Sequence, residues 1–149
     1  MKCGIGSDHG GFELKTIIKE YLEEMNIETV DFGTDSEASV DYPVYGQKVA
    51  EAVAAGEVDQ GIVICGTGIG ISLAANKVPG IRCALCTNEY MAEMTKRHNN
   101  ANMLALGGRV VGSELAKNIV KTFINTEFEG GRHERRVNLI ADIESKYTK

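Results

Sequence analysis

A chain of 149 residues with 43% apolar and 25% charged side chains has the composition of one ordinary globular domain, large enough to hold a core without disulfide or metal. No run of about 18 apolar residues is present to span a bilayer, and Met1–Gly6 lacks the basic, apolar and small-residue order of a signal peptide, so the expected location is cytoplasmic. A net charge of −5 argues against a nucleic-acid partner, but not against a small anion, which meets local groups such as Arg132-His133-Glu134-Arg135-Arg136 first.

Short apolar runs alternate with amphipathic stretches. Cys3–Ser7 reads as a first strand. Residues 10–25 read as a helix, with Phe12, Leu14, Ile17, Ile18, Tyr21, Leu22 and Met25 at helical spacing. Glu28–Phe32 is a second strand, and 33–42 a polar loop. Pro43 suits the first turn of a helix that runs to about Ala55. Gln60–Ile64 is a third strand, and its continuous Ile62-Val63-Ile64 belongs to a strand covered on both faces. A glycine-rich turn, 65–70, precedes a helix starting at Ile71. Val78-Pro79-Gly80 is a turn and Ile81–Cys86 a fourth, buried strand. Thr87 is the expected N-cap of a helix to about His98. Met103–Leu106 is a fifth strand, closed by Gly107-Gly108. A helix over 113–125, a link over 127–131 and a last helix over about 133–147 complete the chain. This alternation predicts an α/β domain with a parallel sheet, whose ligands bind outside the carboxyl ends of the strands.

Of the four cysteines, Cys83 and Cys86 form a C-x-x-C. On a strand, residues three apart face opposite sides, and no second pair at zinc spacing follows. A buried, inert pair is expected rather than a redox or metal site.

Three turns carry candidate chemistry. Ser7-Asp8-His9-Gly10-Gly11 joins a strand end to a helix start; its N–H groups and His9 suit an anion, although Asp8 as a helix cap and His9 as a surface residue explain it equally well. Cys65-Gly66-Thr67-Gly68-Ile69-Gly70 lacks the spacing of a dinucleotide fingerprint and the Gly-Lys-Ser/Thr of a P-loop. It sets a thiol beside a nest of N–H groups, an arrangement that favours a thiolate and can hold an oxyanion. Proton abstraction next to a carbonyl fits that pairing. His98, in a polar run before the fifth strand, is a candidate acid or base near neutral pH. Arg132 and Arg136 share one face at the start of the last helix, where cations oppose the macrodipole and are suited to meeting a phosphate.

The segments S-D-H-G-G (7–11), D-Y-P (41–43), I-C-G-T-G-I-G-I-S (64–72), A-N-K (75–77), H-N (98–99), G-G-R-V-V-G (107–112) and E-G-G-R-H-x-x-R (129–136) together resemble ribose-5-phosphate isomerase B. The resemblance covers residues from 4 to the last helix. It implies a three-layer α/β/α sandwich with a five-stranded parallel sheet, Rossmann-like, formed by one domain over 1–149. It also implies a homodimer, in some members paired into a tetramer, with two sites at the interface, where the helix over 133–147 packs. Cys65 would be the base between C1 and C2, with Thr67 and the amides of Gly66, Gly68, Ile69 and Gly70 holding the enediolate. His98 would open the furanose ring and Asn99 hold the sugar, with Asp8 and Tyr42 lining its site. His9, Arg109, Arg132 and Arg136 would bind the phosphate, the last two from the partner subunit. No metal or organic cofactor is implied. The chain keeps the cysteine base, unlike a branch that uses glutamate. It also keeps the R-H-x-x-R segment that the two-subunit galactose-6-phosphate isomerases lack, which favours ribose 5-phosphate over a hexose phosphate. Outside the resemblance, a phosphate- or nucleotide-binding module without catalysis is the competing reading.

Overall fold

The computed structural model describes residues 1–148; Lys149, the last residue of the expected domain, lies outside the described residues. Five strands, β1 (Lys2–Ser7), β2 (Glu28–Asp31), β3 (Gln60–Cys65), β4 (Cys83–Leu85) and β5 (Met103–Gly107), form one sheet in the order β2-β1-β3-β5-β4. Every pair is parallel. The helices are α1 (Phe12–Glu24), α2 (Tyr42–Ala54), α3 (Ile69–Ala75), α4 (Glu89–Asn99), α5 (Ser113–Asn125) and α6 (Arg132–Tyr147).

The expected α/β/α layering is present. Leu14, Ile18 and Leu22 of α1, Ala92 of α4, and Ile119, Val120 and Phe123 of α5 pack with Ile5, Ile62 and Leu104 on one face of the sheet. Val49 and Ala50 of α2 and Ile71 and Ala75 of α3 pack with Val63, Met103 and Ala105 on the other. Each fully buried Ile or Leu of these layers contributes about 2 kcal/mol. Residues of β3 and β5 alternate between the two faces, which is why their apolar runs are unbroken. Lys15 is a buried cation beside this core. It is 2% exposed, and its ammonium reaches Asp31 Oδ1 and the Thr34 carbonyl, both at 2.7 Å.

Two expectations need correction. The fourth strand is only Cys83–Leu85 and is half-buried, because it is the edge of the sheet rather than an inner strand. Its open side meets the Asn76 side chain, whose Nδ2 donates to the Cys83 carbonyl (2.9 Å) and whose Oδ1 accepts from the Cys83 N–H (2.8 Å). The N-cap of α4 is Asn88, not Thr87: Asn88 has extended backbone and its Oδ1 accepts from the Met91 N–H at 2.9 Å. The smaller shifts are at helix starts. A short 3₁₀ turn, His9–Gly11, precedes α1, α3 begins at Ile69, and Arg132 already belongs to α6.

The chain leaves β1 toward β2 on one side and returns to β3 on the other. The carboxyl ends of β1 and β3 therefore flank a switch point, where open α/β sheets form their ligand crevices.

Candidate active site

Cys65 is the last residue of β3 and is 5% exposed. The chain then turns through Gly68, whose φ of +81° suits glycine. That turn aims the Gly68 N–H at Cys65 Sγ, 3.2 Å away. A second amide of the turn, Ile69 N–H, donates to Thr67 Oγ1 at 3.2 Å, which leaves the exposed Thr67 hydroxyl its own hydrogen to donate. Two of the amides expected to face an oxyanion thus bond to side chains of the turn itself.

The turns after β1, β3 and β5 interlock. Gly108 N–H donates to the Cys65 carbonyl (2.8 Å), and Arg109 N–H to the Gly66 carbonyl (3.0 Å). A Cβ at Gly108 would lie 2.8 Å from the Gly10 carbonyl oxygen, so only glycine permits this approach. Arg109 Nη1 occupies the space a side chain at Gly66 would need. Asp8 is buried and its Oδ1 caps the 3₁₀ turn through Gly11 N–H at 3.1 Å. His9 Nδ1 accepts from the Val40 N–H at 3.1 Å, so a neutral His9 carries its proton on Nε2 as a free donor. His9 and Arg109 line one cleft of about 560 Å³, with Glu13 and Glu37 at its wall. The Tyr42 ring lies against Gly70, where a Cβ would approach it to 2.7 Å. Asp8, His9, Tyr42, Cys65, Gly66, Thr67, Gly68, Ile69, Gly70 and Arg109 therefore gather at the carboxyl end of the sheet.

His98, Asn99, Arg132 and Arg136 do not join them within one chain. Cys65 pairs in register with Gly107 at the end of β5. His98 and Asn99 end α4, which delivers the chain to the start of β5, where the Asn102 carbonyl accepts from Gly61 N–H. The length of β5, roughly 15 Å at 3.3 Å per residue, separates the two levels. Glu129 N–H donates to the Arg97 carbonyl (3.1 Å), which fixes the start of α6, with Arg132 and Arg136, beside His98.

The second cluster also contains two residues that the sequence reading did not select. The rings of His98 and His133 stack with centroids 4.0 Å apart and planes 9° apart. Glu129 Oε1 lies 3.4 Å from His133 Nε2 and 3.9 Å from His98 Nε2. Burial first, then the charges of His98 and Arg132, hold His133 below the usual histidine range, against the opposing pull of Glu129. No local pattern signalled the pair, because Glu129 lies in the link before α6. Two imidazoles and a carboxylate are metal-ligand types. However, an ion in the plane of one stacked ring would lie well out of the plane of the other, and Arg97, Arg132 and Arg136 surround the group. The arrangement suits proton handling better than a cation.

The ribose/galactose isomerase family model matches residues 3–140. The chain belongs to the ribose/galactose isomerase family. Among relatives, the ribose-5-phosphate isomerase B of Escherichia coli K12 is 52% identical over 145 residues, covering 97% of each chain. The solved structure of Clostridium thermocellum ribose-5-phosphate isomerase B is 62% identical, with a TM-score of 0.99 over 99% of this chain and 100% of that one. A Thermotoga maritima ribose 5-phosphate isomerase structure is 53% identical, with a TM-score of 0.93 over 95% and 97%. Membership in the ribose/galactose isomerase family makes the protein a sugar-phosphate isomerase and does not favour the non-catalytic binding module. No helix among the described residues is long and apolar enough to cross a membrane.

Proposed function

We propose that the protein interconverts ribose 5-phosphate and ribulose 5-phosphate through an enediolate, with Cys65 as the base. The carrying observation is the thiol at the end of β3 with an amide hydrogen directed at its sulfur, because that hydrogen bond stabilises the thiolate a base must be. His98 moves a proton from the O1 hydroxyl of the furanose to the ring oxygen as the C1–O4 bond breaks, leaving the open aldehyde with no net change in protons. Cys65 Sγ then takes the C2 proton. The O1 oxyanion is met by the Thr67 hydroxyl and the amides of Gly66 and Gly70; the O2 proton passes to O1, and Cys65 returns its proton at C1 as the C2–O2 carbonyl forms, giving the ketose. Asp8, Tyr42 and Asn99 hold the sugar hydroxyls. His9, Arg109, Arg132 and Arg136 hold the phosphate, as charge-assisted donors.

The working unit in this reading is a homodimer, with His98, Asn99, Arg132 and Arg136 of one chain completing the Cys65 site of the other. The separation of these groups along β5 supports it. So does the apolar face of α6, where Leu139, Ile140 and Ile143 stay half or more exposed in the single chain, as do Ile69 and Leu73 of α3. Four free thiols suit a reducing cytoplasm.

Two measurements test these statements. The first compares kcat/KM for ribose 5-phosphate with allose 6-phosphate and galactose 6-phosphate; preference for a hexose phosphate would reject the substrate. The second mixes Cys65→Ala with His98→Asn chains after dissociation. A twofold-symmetric mixed dimer then holds one intact site, so activity recovers to about a quarter of wild type. No recovery would reject the shared site.

A further inference from the structure

His133 is the single buried residue among those described in α6. An amphipathic surface helix normally buries apolar side chains against its neighbour, whereas here the buried contact with α4 is an imidazole laid flat on another imidazole. Four further contacts fix the group. Glu129 is held from both ends: its N–H donates to the Arg97 carbonyl (3.1 Å), and its Oε2 lies 3.3 Å from Arg97 Nη1. Arg97 Nε is itself held by Glu93 Oε1 at 3.0 Å. His133 N–H donates to the Gly130 carbonyl at 3.1 Å, closing the turn that starts the helix. His98, by contrast, is half exposed; with His133 and Glu129 removed, its imidazole would rotate freely at the end of α4.

We infer that His133 and Glu129 are positioning residues for ring opening: His133 fixes the plane of the His98 imidazole by stacking, and Glu129 fixes its edge by facing Nε2. Neither touches the sugar. Their effect is confined to the step in which His98 moves the proton between O1 and the ring oxygen. The inference rests on the ring-opening role proposed above for His98.

Ribulose 5-phosphate offers a direct way to isolate that step. Its C5 oxygen carries the phosphate, so it cannot close a furanose, and exchange of its C1 hydrogen with D₂O needs the Cys65 base and the enediolate but no ring chemistry. Four purified full-length dimers are compared: wild type, His133→Ala, His133→Phe and Glu129→Gln, with His98→Asn as reference. Each is assayed for isomerisation starting from ribose 5-phosphate and for C1 exchange by proton NMR, after circular dichroism and sedimentation have verified fold and assembly. The expected result is a loss of roughly tenfold or more in ribose 5-phosphate turnover for His133→Ala, with C1 exchange within about twofold of wild type. Glu129→Gln gives the same split, and His133→Phe, which keeps a flat ring on His98, recovers most of the turnover. Turnover unchanged in His133→Ala, or turnover and exchange falling together, overturns the inference. If His98→Asn shows the split and His133→Ala does not, the positioning role alone fails. If His98→Asn leaves ribose turnover intact, the ring-opening role of His98 fails with it.

Discussion

The Gly68 amide hydrogen points at Cys65 Sγ across 3.2 Å, and it does so from a backbone conformation, φ +81°, that leaves no room for a side chain. A Cβ at Gly68 would meet the Leu106 carbonyl carbon at 2.8 Å. The thiol and its donor are therefore fixed by backbone packing rather than by a mobile side chain. Cys65→Ala is expected to lower kcat about a thousandfold, the scale of a lost general base, while ribose 5-phosphate still binds through groups outside the thiol. Steady-state kinetics with calorimetric titration checks both halves. Turnover retained in this variant would remove Cys65 from the mechanism.

The apolar face of α6 gives a second expectation. Ile143 is 62% exposed in the single chain, so Ile143→Glu should leave the protomer folded, with an unchanged circular dichroism spectrum. A buried charge at a dimer interface is costly. The variant should sediment as a monomer at micromolar concentration and lose turnover in proportion to dimer lost. An active monomer would contradict the shared site.

Asp31 predicts an acid limb of stability. Burial by itself would raise its carboxyl, but the Lys15 ammonium, the Gly33 N–H and the charges of Lys15 and Lys19 outweigh burial and hold it below its ordinary value of 3.8. A depressed carboxylate stabilises the fold fully above 3.8, and that stabilisation is lost as pH falls through the folded value. Asp31→Asn also leaves Lys15 buried with the Thr34 carbonyl alone. The expected cost at pH 7 is about 2 kcal/mol, measured by urea unfolding, and the gap to wild type should narrow below about pH 4. A gap that does not narrow at all as the pH is lowered from 4 through the acid limb of wild-type unfolding would mean the carboxylate charge is not its source.

The cysteines make an equally definite prediction. Cys86 packs in the layer with α1, α4 and α5, and Cys83 against the layer with α2 and α3. Burial pushes Cys3 and Cys83 up to about 12 and Cys86 up to about 11. All three thiols stay protonated near neutral pH, and the C-x-x-C pair straddles the sheet. Mild oxidation should leave four titratable thiols after unfolding; a loss of two would indicate a disulfide that this geometry forbids.

The layers and the succession of strands and helices along the chain were legible in the sequence because Ile62-Val63-Ile64 and the 3.6-residue spacing of α1 are local patterns that report burial directly. The turn at Cys65 was legible for the same reason, since its glycines are contiguous. What escaped was set by contacts distant in the chain. Ile81–Cys86 reads as a buried strand from its apolar residues, and only the strand order reveals that it is an edge. Thr87 and Asn88 both have capping side chains, and backbone geometry decides between them. His98 and Cys65 read as one site, but their levels in the sheet follow from the direction of α4. His133 sits in a charged run whose arginines point the reading to a phosphate, and it is buried only because α6 folds back onto α4.

Asn76 has a consequence for how copies of this protein can meet. By offering Cys83 both a donor and an acceptor, its side chain acts as a one-residue substitute for a sixth strand. Unsatisfied edges are templates on which further chains can add. At the β4 margin the first ladder positions are already taken, so sheet growth from one molecule into the next would have to break two good hydrogen bonds before gaining any. Asn76→Ala would reopen that margin, and its first symptom would be fibrous or amorphous aggregation on storage rather than a loss of catalysis.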